Sequence, residues 1–588
     1  MAILTSFFLS LSAFAQNATT PGTVKLMSTF ECISVRAGFT GDTDGDNNAS
    51  IKFRKSGTTA WMDAYPPVVD RRTSVNIQGT SHDNSANMNQ ARGSIVGLKP
   101  NTSYDVMVTW SDPDGVSGTA ITSSVSTLSY NPPVSGATKY VDASASSEGS
   151  GSASSPWKTL AYAVANATAG DTIVVKAGTY APLTISRSGS SGAYFVLTTN
   201  GVGTVSISGG SSVVNGLAVN GNYWVIRGFN VAKCYDAGIV IGSGVHDVYI
   251  ENCTMTDAVS ATDSYTGAFV ISGNTANIFV LSNSFATYNP TITGNNDGLV
   301  DNIDIEGDNS KTIVIAYNNL KGGWDAIGNR SNSGFNGLCE NSDFAHNTMT
   351  DWIDDLVEMD GMGPNVRCFD NHARKSVGGY NGYNGTLLSV AGIYIHPAYV
   401  FRNDSKGTNP NIGGWKRGHS SYGCFFFHNT TITAGTSGND VINDSGDTTY
   451  PSQKMFQRNN IFMATGNIFW NVKNSSNDYD YDLAISTIGA DYAGNYDGSS
   501  YSTLSAFRSG TGQEMHGLST DPLLKTDLTL SSSSPAIDKG VVLPNFNDAN
   551  SAWAYGGSAP DIGAFETGAP VTLPPPLAPT GLRIVSAP

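Results

Sequence analysis

The sequence predicts an all-β chain, a long parallel β-helix preceded by a small β-sandwich. Three observations carry this. Charged residues fill only 14% of the 588 positions while Gly reaches 65, a composition poor for helical bundles and suited to short strands joined by tight turns. A short motif ending in Asn recurs along the middle of the chain, the mark of a stacked repeat. Before that repeat, short runs alternate polar and apolar residues, as half-buried strands do.

The bulk numbers narrow the partners. A formal net charge of −16 argues against nucleic acid or an anionic membrane. An anionic polysaccharide stays open, because a bound cation inverts charge locally. No apolar run approaches the roughly 20 residues that a spanning helix needs. Residues 4–15 are apolar and end in Ala13-Phe14-Ala15, an A-x-A cleavage pattern, so residues 1–15 read as a signal peptide of a secreted protein, although no Lys precedes Lys25. Six Cys over this length make no disulfide framework. Cys234 and Cys253 lie about one coil apart and are either a pair or unpaired core thiols.

Residues 19–129 read as the sandwich, with strands at Ser50–Arg54 and Tyr104–Val108 and with Trp61 and Leu98 as core candidates. The run Leu98-Lys99-Pro100-Asn101-Thr102-Ser103-Tyr104 resembles the corner before a late strand of fibronectin type III modules, Tyr104 being the corner tyrosine. Asp42, Asp44 and Asp46 form either a solvated loop or a calcium loop, and Gly45 stands one place early for an EF-hand. Residues 130–138, with Asn131-Pro132-Pro133, read as a linker.

The main body is expected at residues 139–566. It opens with Tyr140-Val141-Asp142, then Ser155 as N-cap with Pro156 at the first helical position and an Ala-rich helix to Ala167. Gly170-Asp171-Thr172-Ile173-Val174-Val175 and Gly178-Thr179-Tyr180 follow. This order resembles the start of secreted right-handed parallel β-helix proteins of the pectate lyase-like superfamily, in which a helix covers the open end of the coils.

The repeat places Asn252, Asn283, Asn318, Asn347, Asn371, Asn403, Asn429 and Asn459 at intervals of 24 to 35 residues, one coil plus a variable loop. Stacked coils bring equivalent residues about 4.8 Å apart, so an Asn ladder can run along the axis. Thr520–Leu523, Ser534–Asp538 and Pro560–Glu566 resemble the closing segment of such proteins. Residues 567–588 read as a proline-rich linker and the truncated start of a further module.

The repeat also sets a register for chemistry. Asp325 lies seven residues after Asn318 and Asp354 seven after Asn347, so the two are expected side by side on neighbouring coils of the outer wall. Asp355, Glu358 and Asp360 follow on one coil, and Asp304, Glu306 and Asp308 precede on another. In so weakly charged a chain this is the densest acidic region. Three readings compete. In one, Asp304, Glu306, Glu358 and Asp360 hold Ca²⁺ beside Asp325, Asp354 and Asp355, and a base removes the proton next to a uronate carboxyl. The cationic candidates are Arg330, Arg374, Lys375 and Lys416, and the resemblance implies this lyase logic. In the second, the stacked Asp residues hydrolyse a glycosidic bond; Ile353-Asp354-Asp355 is similar to the Asp pair of polygalacturonases, but Gly378-Gly379-Tyr380 stands where that family has Gly-His-Gly. In the third the acids only terminate strands, and the β-helix is a non-catalytic adhesin.

Trp324, Trp352, Tyr380, Tyr383 and Trp415 are either sugar-stacking platforms or stacks inside the coil. His396 and His419 stand alone without a second ligand at metal spacing. The expected partner is a polysaccharide, the expected state a monomer, and the sandwich is expected to act as a spacer.

Overall fold

The computed structural model describes residues 17–568 except 78–79, 210–214, 233, 235–236, 257–266, 288–300, 331–338, 376–385, 391–394, 408–412, 418–420, 434–439, 444–451, 471, 473–475, 488 and 490–491. The expected signal segment at 1–15, the tail from 569, Tyr380, Tyr383 and His419 therefore lie outside the described residues.

From residue 138 onward the chain winds as a parallel β-helix with three sheets. Sheet one has 14 strands, running from Thr138–Val141 to Asp478–Asp480. Sheet two has 12, from Gly178–Tyr180 to Leu483–Ser486. The third face carries two runs of six strands, Leu183–Ile185 to Ile327–Arg330 and Thr386–Ser389 to Ser499–Tyr501. Alternate side chains explain sheet one. Cys424 and Phe426 point into the coil core, whereas Phe425 and Phe427 belong to a second apolar cluster on the outer face. A strand buried on both faces reads as an unbroken apolar run, which is why Cys424–Phe427 is CFFF.

Between sheets one and two each coil turns through a residue with positive φ, followed by a ladder residue. Ser282, Tyr317, His346, Asp370, Arg402 and His428 occupy the first position with φ of 52° to 61°. The ladder itself runs Asn283, Asn318, Asn347, Asn371, Asn403, Asn429, Asn460 and ends on Asp482, each amide nitrogen donating to the next side-chain oxygen at 2.9 to 3.1 Å. Each rung also accepts the backbone N–H of the residue below it, so no buried amide of the turn is wasted. Two expected rungs are corrected. Asn252 and Asn459 hold the positive-φ place, which Asn tolerates, and Cys253 and Asn460 stand in the ladder column.

The capping helix α1 spans Leu160–Asn166, with Thr159 rather than Ser155 as N-cap; the Thr159 hydroxyl accepts from the Tyr162 amide at 3.2 Å. Pro156 instead lies in the loop before it, where its carbonyl accepts from Gly149. Leu160, Ala163 and Val164 close the coil end. A second helix, α2 (Leu504–Thr511), seats Phe507 against Phe469 at the other end of the core, with ring centroids 5.2 Å apart. All six Cys are buried and free, including Cys234 and Cys253.

The N-terminal part forms two four-stranded antiparallel sheets around Ile33, Val35, Ile51, Phe53, Val106 and Trp110. The Lys99 amide donates to the Tyr104 hydroxyl at 3.0 Å, and Leu98 is buried as expected. Trp61 is not core; it is half-buried beneath the Arg54 guanidinium, 4.4 Å from the ring, because it leads into Met62–Asp63, the strand at the sheet edge. In the Asp42 loop, Asp42, Asp44 and Asp46 each offer an oxygen within 4.8 Å of the others, and buried Asp42 is also bound to Arg71 at 2.6 Å.

The sandwich does not stand off as a spacer. It lies on the outer face of sheet one, where Cys32 and Val96 join Phe369, Phe401, Phe425 and Phe427. Arg367, fully buried on sheet one, donates to Ser34 at 2.9 Å and Ser94 at 3.1 Å across this interface. Arg92 of the sandwich donates to the His396 carbonyl at 2.7 Å, and Val96 to Asn545 of the closing segment at 2.8 Å.

Candidate active site

The acidic residues collect on the third face. A second ladder runs there: the Asp325 amide donates to Asp301 Oδ1 at 2.9 Å, and the Asp355 amide to Asp325 Oδ1 at 2.7 Å. Asp355, eight residues after Asn347, thus takes the place expected for Asp354, because this coil carries one residue more between its rung and its acid. Asp354 is anchored beside it through its amide to the Trp324 carbonyl at 2.8 Å. Asp325, Asp354 and Asp355 each offer an oxygen within 4.8 Å of the others. Gly328 makes room for them, since a Cβ there would meet Asp301 Oδ2 at 2.4 Å and Asp325 Oδ2 at 3.3 Å.

The patch is sunk below the outer wall rather than displayed on it. Asp325 and Asp355 are buried and Asp354 is half-buried. Burial, then the charges of Asp301, Glu358, Asp355 and Asp354, hold the Asp325 carboxyl well above the usual carboxylate range. Burial and then Asp355 push Asp354 up to about 6, against the pull of Lys416 and Lys375. Burial, then Asp360 and Asp355, push Glu358 up to about 9. Like charges this close, out of water, call for a cation.

Two lysines answer in part. Glu358 bridges Ser389, which pairs with Lys416, which pairs with Asn443, so these residues form one column on successive coils. Lys416 Nζ reaches Asp355 Oδ2 at 3.2 Å while its side chain remains 31% exposed. Burial works against its charge, but Asp355, Asp360, Glu358 and Asp354 outweigh it and raise Lys416 above the ordinary lysine value. Lys375 is fully buried; its Nζ donates to the Ile353 carbonyl at 2.6 Å and lies 5.3 Å from the Trp352 ring centre. Burial pulls it down to about 8. Asp360 accepts from the Ser389 hydroxyl at 2.7 Å.

Other expected site residues fall elsewhere. Trp352 is fully buried in the coil core, and Trp415 is stacked on Phe426 at 4.8 Å, so neither faces a ligand; both lie at inward positions of the coil. Trp324 is half-buried beside the patch. Arg374 lies on the outer face of sheet two, tied to Asp404 at 2.5 Å, because the inward positions of its strand belong to Ala373 and Lys375. Asp304 is buried opposite Gly328, and Glu306 lies two residues further along the strand opposite Arg330, whose side chain is outside the described residues. His396 is buried against Asp70 of the sandwich, 3.2 Å away. Asp301 was missed; counting back 24 residues from Asp325, one coil, would have found it. Ser389 carries no signal in the sequence, being one Ser among many.

A parallel β-helix with a sunken carboxylate group and a lysine paired to it on one face is the class that fold and site define. Residues 139–430 match the family described as "Pel9A-like, right handed beta helix region", and the coiled body of this chain is a right-handed parallel β-helix. The chain is 25% identical over 448 residues to pectate lyase L of Dickeya dadantii (strain 3937), a match covering 73% of this chain and 90% of that one. Pectate lyase L of Dickeya chrysanthemi matches with the same identity and coverage. A crystal structure of pectate lyase Pel9A aligns over 74% of this chain and 97% of its own, at 17% identity and a TM-score of 0.37. The family match and the two pectate lyases of Dickeya support a pectate lyase-like, polysaccharide-degrading family. Among the described residues no helix is long and apolar enough to cross a membrane.

Proposed function

We propose that the chain is an exported polysaccharide lyase that cleaves a uronate-containing polymer by cation-assisted β-elimination. One observation carries this reading: three carboxylates within 4.8 Å of one another, with the Lys416 ammonium 3.2 Å from one of them. The donors are hard oxygens, the set that Ca²⁺ takes, and the raised proton affinity of Asp325, Asp354 and Glu358 marks an unmet demand for positive charge. Asp325, Asp354 and Asp355 would hold the ion, with Glu358 beside them. When bound, Ca²⁺ grips the uronate carboxylate and acidifies the adjacent C–H.

The chain's own residues supply the rest. A cation held there would share Asp355 with Lys416, and that competition would lower the proton affinity of the Lys416 amine toward that of a usable base. Lys416 then takes the proton from the carbon bearing the carboxylate. That electron pair forms the new C=C as the glycosidic oxygen on the neighbouring carbon departs. Lys375, sealed under Ile353, acts as a fixed counter-charge rather than a base. The hydrolytic reading is weaker, because hydrolase carboxyl pairs stand about 5–9.5 Å apart with room for water.

The test is incubation with acidic and neutral polysaccharides, with calcium and with chelator. Unsaturated product that vanishes on chelation supports the lyase. Reducing ends without unsaturation would make it a hydrolase, and binding without any cleavage an adhesin.

A further inference from the structure

The junction of sandwich and coils holds a cleft of about 350 Å³, remote in the fold from the acid patch because it opens at sheet one rather than the third face. Its floor is aromatic. Phe425 and Phe456, from successive coils, stack with centroids 4.9 Å apart, and Tyr65 of the sandwich meets Phe425 edge-on at 5.4 Å. Tyr65 and Phe456 are only half-buried, and part of each ring borders the cleft. Its rim is polar and cationic: Asn48 and Ser476 are exposed, and Arg71 and Lys454 complete the lining.

The two cations differ. Arg71 is fixed by Asp42 at 2.6 Å and by the Asn47 carbonyl at 2.7 Å. Lys454 makes no ion pair among the described residues; its Nζ rests 5.4 Å from the Tyr422 ring centre, whose face Arg72 also covers at 4.0 Å. A cation held over a ring, without a carboxylate, in a chain of net charge −16 is a local exception to the molecule's field.

We propose that this cleft is a second, non-catalytic binding site for an anionic, carboxylated oligosaccharide. Ring faces offer negative quadrupole to the C–H groups of a pyranose, and the ammonium offers its charge to a carboxylate. A concave volume of about 350 Å³ lies at the small end of ligand pockets, roughly 300–1,000 Å³, and is far from the broad flat area, about 800 Å² per partner, that a protein interface needs. Junctions between domains are where such pockets commonly form. The site would hold polymer on one side of the molecule while another stretch reaches the third face. It uses none of the acid-patch residues, so it stands or falls separately from the lyase reading.

The probe is saturated trigalacturonate, titrated calorimetrically into the full chain. With chelator present, one equivalent binds. Lys454→Glu weakens this at least tenfold and Lys454→Asn, which suits the positive φ of 51° at that position, weakens it less; a neutral maltotriose does not bind. No binding in chelator, equal affinity in Lys454→Glu, or equal binding of the neutral sugar overturns the proposal. In a Lys416→Ala background, which binds calcium without cleaving, adding calcium recruits a second equivalent that Asp355→Ala loses and Lys454→Glu keeps. Failure of that second equivalent alone counts against the acid patch and leaves the cleft intact.

Discussion

The amide of Asp355 donates to the carboxylate of Asp325 across 2.7 Å, so one acid positions the next on the following coil. The same bond gives Asp325 two tasks, and substitutions separate them. Asp325→Asn keeps the accepting oxygen and removes the charge; Asp325→Ala removes both. Both should lower turnover by more than the ~10–100-fold that loss of an outer-shell partner costs a metal site. In chelator the Asn variant should melt above the parent, because a buried like charge is gone, and the Ala variant below the Asn variant. Thermal melts that place Ala at or above Asn would remove the positioning role.

Proton and cation compete for this patch. Asp354 at about 6 and Glu358 at about 9 lie above unfolded values of about 3.9 and 4.3, so the folded chain holds more protons than the unfolded one between those limits. Their contribution to stability is complete below about pH 4 and is lost as pH rises, through about 6 for Asp354 and about 9 for Glu358. Metal-free protein should therefore lose melting temperature across that window. The gain on adding calcium should grow with pH, and calcium binding at neutral pH should release protons into the buffer. A calcium gain that is flat from pH 5 to 9 would contradict the assignment of these acids.

The two lysines are told apart by what each holds. Lys416→Ala should abolish β-elimination while calcium still binds, since only its exposed ammonium and one ion pair disappear. Lys375→Met should instead cost stability, about 1–3 kcal/mol, by leaving the Ile353 carbonyl unpaired in a buried place. If Lys375→Met were the variant that folds normally and loses turnover, the roles would exchange.

The coil was legible because its ladder is made of one residue type at one turn. The errors at Asn252 and Asn459 have the same origin as the success: Asn also suits the positive-φ place immediately before the rung, and a count alone does not separate the two. The one-residue slip from Asp354 to Asp355 has another cause, the extra residue that this coil carries between its rung and its acid. Trp352 and Trp415 were ambiguous because a lone aromatic residue carries no sign of which side of the coil wall it faces, and both point inward. The docking of the sandwich left only a trace, the unbroken apolar strands of sheet one, which a solvent-exposed face would have interrupted. The ladder makes its own prediction. Asn347→Leu removes an oxygen that accepts two bonds from Asn318 and a nitrogen that donates to Ile315 and Asn371, and should cost about 3–5 kcal/mol, read from the denaturant midpoint.

Arg367 offers the sharpest test of that docking. Its guanidinium is fully buried, paired with Asp343 at 2.5 Å and bonded to Ser34 and Ser94 of the sandwich. Breaking a buried ion pair by removing one partner costs about 3–5 kcal/mol, so Arg367→Met should destabilise the coils. The sandwich should melt with them in a single calorimetric transition, since the bonds cross the interface. A chain starting at residue 131 should fare worse, because it strips Tyr65 from Phe425 and Phe427 and leaves Arg367 without its serines. Dye binding and aggregation are the expected readouts. Two well-separated transitions in the full chain, with the truncated coils as stable as the whole, would return the sandwich to the status of a tethered appendage.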